Sequence, residues 1–239
     1  MASGILRGRT ALITGASRGI GREAAVRLAE EGASLILVAR ESPDFGQLSE
    51  LLSHAATTLV ADLAAQSEVE RVAELTVARV GTPDIVVNNA GAFLVAPLEE
   101  TSPDDFQRSL AVNMMAPFLL TRAFLPLMRQ RGSGHIVTLG SVADRNVFPE
   151  NAAYASTKFG LRALHEVLRM ETRGSGIRAT LVSPGPVDTR LWDSVDPDNR
   201  TGFTPRDAML EPYSVADAII YALTRPPRVN IDELRISRS

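Results

Sequence analysis

Cysteine is absent from the 239 residues, which excludes a disulfide framework, a thiolate nucleophile and a cysteine-held metal. Histidine is nearly as scarce, and His54, His135 and His165 stand too far apart in the chain for a local ligand motif, so no metal is expected. No charge of one sign prevails: Lys+Arg 25 against Asp+Glu 28 leaves -3. Without a basic run there is no electrostatic reason to expect nucleic acid or a membrane surface as partner. Long hydrophobic runs are missing too. Leu35 to Ala39 and Met114 to Leu120 fall far short of a membrane span, and the opening MASGILRGRT lacks a signal peptide's apolar stretch. A cytoplasmic location is the default expectation.

What is present is enough apolar material for a sizeable core, 45% hydrophobic against 22% charged, in an otherwise ordinary composition. With no linker, repeat or low-complexity stretch in sight, residues 1–239 are expected to form a single domain, a size that α/β folds often reach. Short β-rich runs alternate with longer helical patterns. Strands are expected at Thr10 to Thr14, Ser34 to Ala39, Thr57 to Ala61, Asp84 to Asn88, His135 to Leu139, Ile177 to Ser183 and Asp232 to Ile236. Helices are expected at Ser17 to Glu31, Gly46 to His54, Ser67 to Arg79, Asp104 to about Arg131, Ala152 to Arg173 and Val215 to Leu223. Strands such as LILVA, DIVVN and HIVTL are almost continuously apolar, as they must be when helices cover both faces of a parallel sheet. The pattern predicts an α/β, Rossmann-type doubly wound parallel sheet of about seven strands.

Local signals agree with this outline. Thr101-Ser102-Pro103-Asp104-Asp105 combines a capping hydroxyl, a proline whose missing N–H costs nothing at a first helical turn, and carboxylates at the positive end of the dipole. Gly32, Gly132 and Gly174 each follow a helical stretch, where positive φ closes the last turn. The least periodic stretch, Arg190 to Pro212, follows the C-terminal end of a strand. Ligands bind at that edge of such sheets, so residues 190–212 are expected to form a short substrate lid.

The first strand runs into TGASRGIG, Thr14 to Gly21, and then directly into a helix. Gly15, Gly19 and Gly21 allow a tight turn and a close approach to a pyrophosphate at the helix N-terminus. The spacing is neither G-x-G-x-x-G nor a P-loop. At the end of the second strand Arg40 stands where an NAD site usually places a carboxylate for the ribose 2'-hydroxyl. Together with Arg18 it offers planar guanidinium forks to a 2'-phosphate, so NADP(H) is expected over NAD(H). Glu41 is the complication, as a carboxylate within reach of a ribose hydroxyl. Asp62 and Asn88-Asn89-Ala90-Gly91 follow the third and fourth strands; Asp62 is placed to meet an adenine, and the small Ala90-Gly91 pair leaves room for the cofactor.

Tyr154 and Lys158 lie four residues apart in a helical stretch and so share a face. A nearby ammonium favours the phenolate and draws a group with an ordinary pKa of about 10 toward the working range. Ser141, after a strand, is placed to bond a substrate oxygen. Asn113, in the apolar segment LAVNMMAPFLL, needs a polar reason to be there.

With these residues in place the chain resembles the short-chain dehydrogenase/reductases, in their single-domain branch, over nearly its whole length. TGASRGIG is similar to that family's cofactor turn and NNAG to its strand-four motif, while Asn113, Ser141, Tyr154 and Lys158 match its catalytic tetrad. Ser183-Pro184-Gly185-Pro186-Val187-Asp188-Thr189 resembles the segment that meets the nicotinamide carboxamide through Val187 and phosphates through Thr189. The resemblance implies cofactor contacts from Gly15, Ser17, Arg18, Gly19, Ile20, Gly21, Arg40, Asp62, Leu63, Asn89, Ala90, Gly91, Tyr154, Lys158, Pro184, Gly185, Val187 and Thr189. It implies hydride transfer between a nicotinamide and a carbonyl or alcohol carbon, with Tyr154 exchanging a proton with the substrate oxygen and Ser141 orienting that oxygen. Lys158 would lower the Tyr154 pKa and hold the ribose, and Asn113 would anchor a water linking Lys158 to solvent. Two departures stand out: Gly140 occupies a position where a second serine is frequent, and Asp144 replaces a common glycine.

A mainly apolar pocket with a polar rim is expected from Phe93, Asp144, Arg145, Phe148, Pro186 and Trp192, which suits a hydrophobic ketone, aldehyde or diketone. A 3-oxoacyl thioester is the second substrate class, and a non-catalytic NADP(H)-binding sensor or scaffold is a reading of a different kind. The family's habit implies a homodimer or homotetramer built through two long helices.

Overall fold

Branched and apolar side chains dominate seven short segments, and in the computed structural model, which describes residues 4–239, these form one parallel sheet. The strands are β1 (Thr10–Thr14), β2 (Ser34–Ala39), β3 (Ala56–Val60), β4 (Ile85–Asn88), β5 (Gly134–Leu139), β6 (Ile177–Pro184) and β7 (Glu233–Ile236). Their order is β3-β2-β1-β4-β5-β6-β7. The helices that link them are α1 (Gly19–Glu30), α2 (Pro43–Leu51), α3 (Gln66–Val80), α4 (Pro103–Leu110), α5 (Ala116–Arg131), α6 (Ala152–Thr172) and α7 (Pro212–Leu223). This is the doubly wound architecture expected from the sequence. The reading of the opening residues as free of a signal-like stretch includes Met1 to Ser3, which lie outside the described residues.

The two faces of the sheet explain the continuous apolar runs. Ile13, Leu37, Val87, Val137 and Val182 point to one side, where α1 and α7 supply Leu28, Val215 and Ile219. Leu12, Ile36, Val86, Ile136 and Ala179 point to the other and meet Val72 of α3 with Leu120, Phe124 and Met128 of α5. Side chains alternate along each strand, yet both sets are buried.

Element starts follow their caps. Ser102 accepts from the Asp105 N–H and Pro103 opens α4, as the sequence indicates. Ser42 does the same for α2 through Phe45 N–H, with Pro43 at the first turn. That helix therefore runs three residues ahead of its expected start, because Ser42-Pro43-Asp44 is itself a start signal.

One expectation needs correction. α4, a wider π turn (Ala111–Met115) and α5 join into a continuous helix of 29 residues, Pro103–Arg131, long and apolar enough by length and composition to cross a membrane. Counting uninterrupted apolar residues missed it because Thr121 and Arg122 divide the run. Its buried face, with Leu120, Phe124 and Met128 wholly enclosed, packs against the sheet and α3, so it serves as a core helix. Truncating Phe124 to alanine is expected to cost about 3–5 kcal/mol, read from the denaturant midpoint.

Two buried histidines set an acid limit. Burial, helped by Arg178 and His165, pushes His135 down to about 3; burial likewise pushes His165 down to about 4. Each ring has a single threonine partner, Thr180 for His135 at 2.8 Å and Thr138 for His165 at 3.0 Å. Because unfolded histidine titrates near ~6.5, the unfolded chain takes up these protons first as the pH falls. Their contribution is therefore intact above about 6.5 and is lost below it, by ~1.4 kcal/mol per pH unit for each histidine. Urea midpoints measured from pH 7 down to about pH 5 should decline along that slope, and His165→Gln should flatten it.

Candidate active site

The strand order reverses between β1 and β4, where the chain leaves in opposite directions and opens a crevice above the C-terminal strand ends. Thr14 closes the floor of that crevice. Its hydroxyl accepts from the backbone N–H groups of Asn89 and Ala90, both at 3.0 Å, and donates to the Val87 carbonyl at 3.3 Å. In return the Asn89 amide donates to the carbonyls of Thr14 at 2.9 Å and Gly15 at 3.2 Å. Gly15 has φ +66, and a Cβ there would sit 2.8 Å from the Ala90 Cα. A side chain on Gly21 would collide with the Gly15 carbonyl, so this glycine acts in packing and does not itself line the cavity. Sequence reading named Asn89 and the glycines but overlooked Thr14, whose signal was its place at the last position of β1.

Above this floor lies a cavity of about 910 Å³, at the upper end of ligand-site sizes. Its walls include Gly15, Ser17, Arg18, Gly19 and Ile20 from the first turn, Arg40 and Glu41 after β2, Asp62 and Leu63 after β3, and Asn89, Ala90 and Gly91 after β4. Pro184, Gly185, Pro186, Val187 and Thr189 after β6 complete it. The first turn of α1 carries no acidic residue, and Arg18 makes no side-chain cap, so the positive end of this helix stays available to an anion. Arg18 and Arg40 are exposed and form no ion pair among the described residues. Asp62, in the cavity wall where an adenine contact is expected, also accepts from Ala64 N–H at 3.0 Å and pairs with Arg108 at 3.1 Å. Burial would raise its pKa, but those two bonds and the charges of Arg108 and Arg40 hold it below the usual carboxylate value. The residues present fit a phosphorylated dinucleotide. Glycines give the backbone close approach, a helix start faces the phosphates, and two cations lack carboxylate partners.

On the far side of the cavity Ser141, Tyr154 and Lys158 come together. Ser141 follows β5 after Gly140 and caps a short turn, Val142–Asp144, by accepting from Ala143 N–H at 3.1 Å. Lys158 is buried and donates to the Leu139 carbonyl at 2.7 Å, with its ammonium 5.5 Å from the centre of the Tyr154 ring. Burial pushes this lysine down to about 8 against the opposing pull of Asp144. The same burial pushes the Tyr154 phenol up to about 12, with Asp144 adding to it and Ser141 opposing. Burial thus acts on the phenol in the direction opposite to the one expected from Lys158. The phenol is held as an acid, and the lysine is the softer of the two groups.

Asn113 is wholly buried and its side chain does not line the cavity; it accepts from Ala92 N–H at 2.7 Å and donates to the Ala92 carbonyl at 2.9 Å and to Thr157 Oγ1 at 3.0 Å. Thr157 in turn donates to the Tyr154 carbonyl at 2.7 Å. The side chain thereby clamps the loop after β4 to the turn of α6 between Tyr154 and Lys158. The π turn places it there, widening the helix by one residue as such turns do at functional sites.

Two of the expected pocket residues are corrected. Asp144 and Arg145 do not line the cavity: the short turn after Ser141 rotates both behind its wall, where Asp144 is fully enclosed and pairs with Arg145 at 2.7 Å. Phe93, Phe148, Pro186 and Trp192 do line it. Phe93 meets Tyr154 edge-on with ring centres 4.9 Å apart, Trp192 meets Phe93 at 4.9 Å, and Phe203 follows at 6.3 Å. Phe203 and Glu150 are wall residues that the pocket prediction did not include. The segment 190–212 is tied across the mouth by Arg190 to Asp44 at 2.6 Å and Arg200 to Glu150 at 2.6 Å. Arg206 ties it to Asp188 at 2.7 Å.

Comparison with known proteins places this geometry. A family model described as short chain dehydrogenase matches residues 9–200. An uncharacterized oxidoreductase of Staphylococcus saprophyticus is 35% identical over 98% of this chain and 97% of its own. One from Staphylococcus epidermidis is 32% identical over 95% and 96%. Among solved structures, a gluconate 5-dehydrogenase from Burkholderia cenocepacia in complex with NADP and tartrate superposes with TM-score 0.87 at 32% identity, over 98% of this chain and 96% of that one. A metagenomic short-chain oxidoreductase in complex with NADP gives 0.84 at 30%, over 98% and 99%. The chain belongs to the short chain dehydrogenase family of oxidoreductases.

Proposed function

We propose that this protein uses NADP(H) to interconvert a carbonyl and an alcohol, and that its working direction is reduction of a hydrophobic ketone, aldehyde or diketone. The observation that carries the reading is the cavity itself. Arg18 and Arg40, without carboxylate partners, stand at one end, and Tyr154 beside Ser141 and Lys158 stands at the other. When bound, the nicotinamide supplies or accepts the hydride. Tyr154, with its phenol kept protonated by burial, donates a proton to the oxygen that gains charge as the carbonyl is reduced. Ser141 orients that oxygen. Lys158, the one cation in contact range of the Tyr154 ring, stabilises the phenolate left behind and replenishes the proton.

The substrate end supports an uncharged, apolar partner. Phe93, Trp192 and Phe203 build a continuous aromatic wall from Tyr154 outward. Arg200, over the Phe203 ring at 4.8 Å, is paired with Glu150, the wall residue Arg190 is paired with Asp44, and Arg145 is turned away behind the wall. A substrate carboxylate would find no unpaired cation there. The 190–212 segment, which holds Trp192 and Phe203, is the lid of this site. A cytoplasmic workplace and assembly into a homodimer or homotetramer go with this reading.

The test is loss of reduced cofactor, NADPH against NADH, over a panel of ketones, aldehydes and diketones. Tyr154→Phe should lower turnover at least 100-fold, in keeping with general acid catalysis, while NADPH affinity measured by fluorescence changes by less than about twofold. Retained turnover in that variant would refute the role given to Tyr154. Arg40→Asp should move the NADPH/NADH preference toward NADH by roughly 1–3 kcal/mol in kcat/KM, the scale of one charge-assisted phosphate contact. An unchanged ratio would count against the 2'-phosphate site.

A further inference from the structure

The two departures from the family pattern, Gly140 and Asp144, meet in space. A Cβ on Gly140 would collide with the Asp144 carboxylate and lie 2.6 Å from Ser183 Oγ. The side chain missing at residue 140 is therefore the room that the carboxylate of residue 144 occupies. That carboxylate is enclosed at 0% exposure. It accepts from the Ser141 backbone N–H at 3.2 Å, from the Ser183 hydroxyl, and from Arg145 Nε at 2.7 Å. An acceptor surrounded only by donors fits the ionised acid. Arg145 continues the chain by an ion pair to Glu233 of β7, and Glu233 also lies 4.0 Å from Arg162 of α6.

A buried charge of this kind is expensive unless fully paired, and an apolar filler often serves stability as well. Its cost points to a use at the one chemical group it adjoins. Resting on the oxidoreductase reading above, we propose that Asp144 is a positioning residue: from behind the cavity wall its carboxylate fixes the backbone of Ser141 and keeps a negative charge beside Tyr154 and Lys158, and Gly140 is the vacancy that makes this possible. The charged groups around Tyr154 are few. Lys158 faces it from its own helix, Asp144 from the turn after β5, Arg145 and Glu233 stand behind Asp144, and Glu150 with Arg200 close the rim. The Phe93 and Trp192 sides contribute no charge. Of these groups Asp144 is the one whose field raises both Tyr154 and Lys158. Its removal should lower both.

The test needs no substrate. Phenolate absorbance of Tyr154 is followed in rapid pH jumps on the whole protein, and the signal of Tyr213 and Tyr221 is removed by subtracting Tyr154→Phe in each background. Asp144→Asn preserves shape and removes charge; the Tyr154 transition is expected to move down by about one pH unit, the scale of a nearby charge. An unmoved transition in a folded Asp144→Asn protein overturns the proposal. Should that variant fail to fold, the double variant Gly140→Ser/Asp144→Gly refills the same space without charge. Its Tyr154 transition must also fall, and an unmoved one again overturns the proposal. Gly140→Ser alone is expected to reduce the melting temperature and to recover in the double variant; a single variant that melts like wild type overturns the claim of shared space. Because no carbonyl is present, these readings stand apart from whether any panel compound is reduced. For a compound that wild type does reduce, the alkaline limb of kcat should shift down by the same amount in Asp144→Asn.

Discussion

Everything at this site depends on the reversal of strand order between β1 and β4. Parallel strands send their successors in opposite directions there, and the backbone ends that would otherwise pair are left open. The opening is held by Thr14 and Asn89, which with their neighbours Gly15 and Ala90 make four hydrogen bonds across it. Without that clasp the glycine turn after β1 and the NNAG loop after β4 would have no common register. The close approach of Gly15 to Ala90 would then serve no purpose. The clasp uses a hydroxyl and an amide, and these polar groups satisfy the backbone just beyond the point where the β1–β4 ladder stops.

From this fixed floor the chemistry is arranged by what is withheld from water. Tyr154 and Lys158 lie on one face of α6 against β5, and desolvation acts on both toward their neutral forms. The phenol becomes a weaker acid and the ammonium a stronger one, so two groups of similar ordinary affinity are driven apart, the phenol up to about 12 and the ammonium down to about 8. The phenol therefore keeps the proton it is placed to give, and the ammonium is the group that releases one first as the pH rises. Sequence spacing foretold the pairing and the pull of the ammonium on the phenol, but not the opposing effect of burial.

Legibility followed locality. Turn glycines, caps and the i, i+4 spacing of Tyr154 and Lys158 are written within a few residues of one another, and each was read from the chain. The same holds for strand placement, since burial on both faces leaves an unbroken apolar run. What escaped depends on rotation about a few bonds or on distant partners. Asp144 and Arg145 were assigned to the pocket because they follow Ser141 closely, yet one tight turn carries them behind the wall. Asn113 was seen as a polar residue needing a reason, but its partners Ala92 and Thr157 lie 21 and 44 residues away. Asp62 lines the cavity as the chain suggested, but its partner Arg108, 46 residues on, could not be read from its surroundings in the sequence.

The ion pairs that segment 190–212 makes with the rest of the protein are all guanidinium on carboxylate at partly exposed positions, Arg190 with Asp44, Arg200 with Glu150 and Arg206 with Asp188, and they stand beside the Trp192 indole bond to the Val187 carbonyl and the backbone bonds of Leu210 to Pro186 and Asp188. Such pairs are each worth about 0–1 kcal/mol, and salt at physiological strength screens beyond about 8 Å. Their sum is only a few multiples of thermal energy, so the place of the segment rests more on the apolar side chains it buries, Val195, Met209 and Leu210, than on these pairs. Raised ionic strength therefore weakens the charged rim of the segment while leaving its buried anchor points in place.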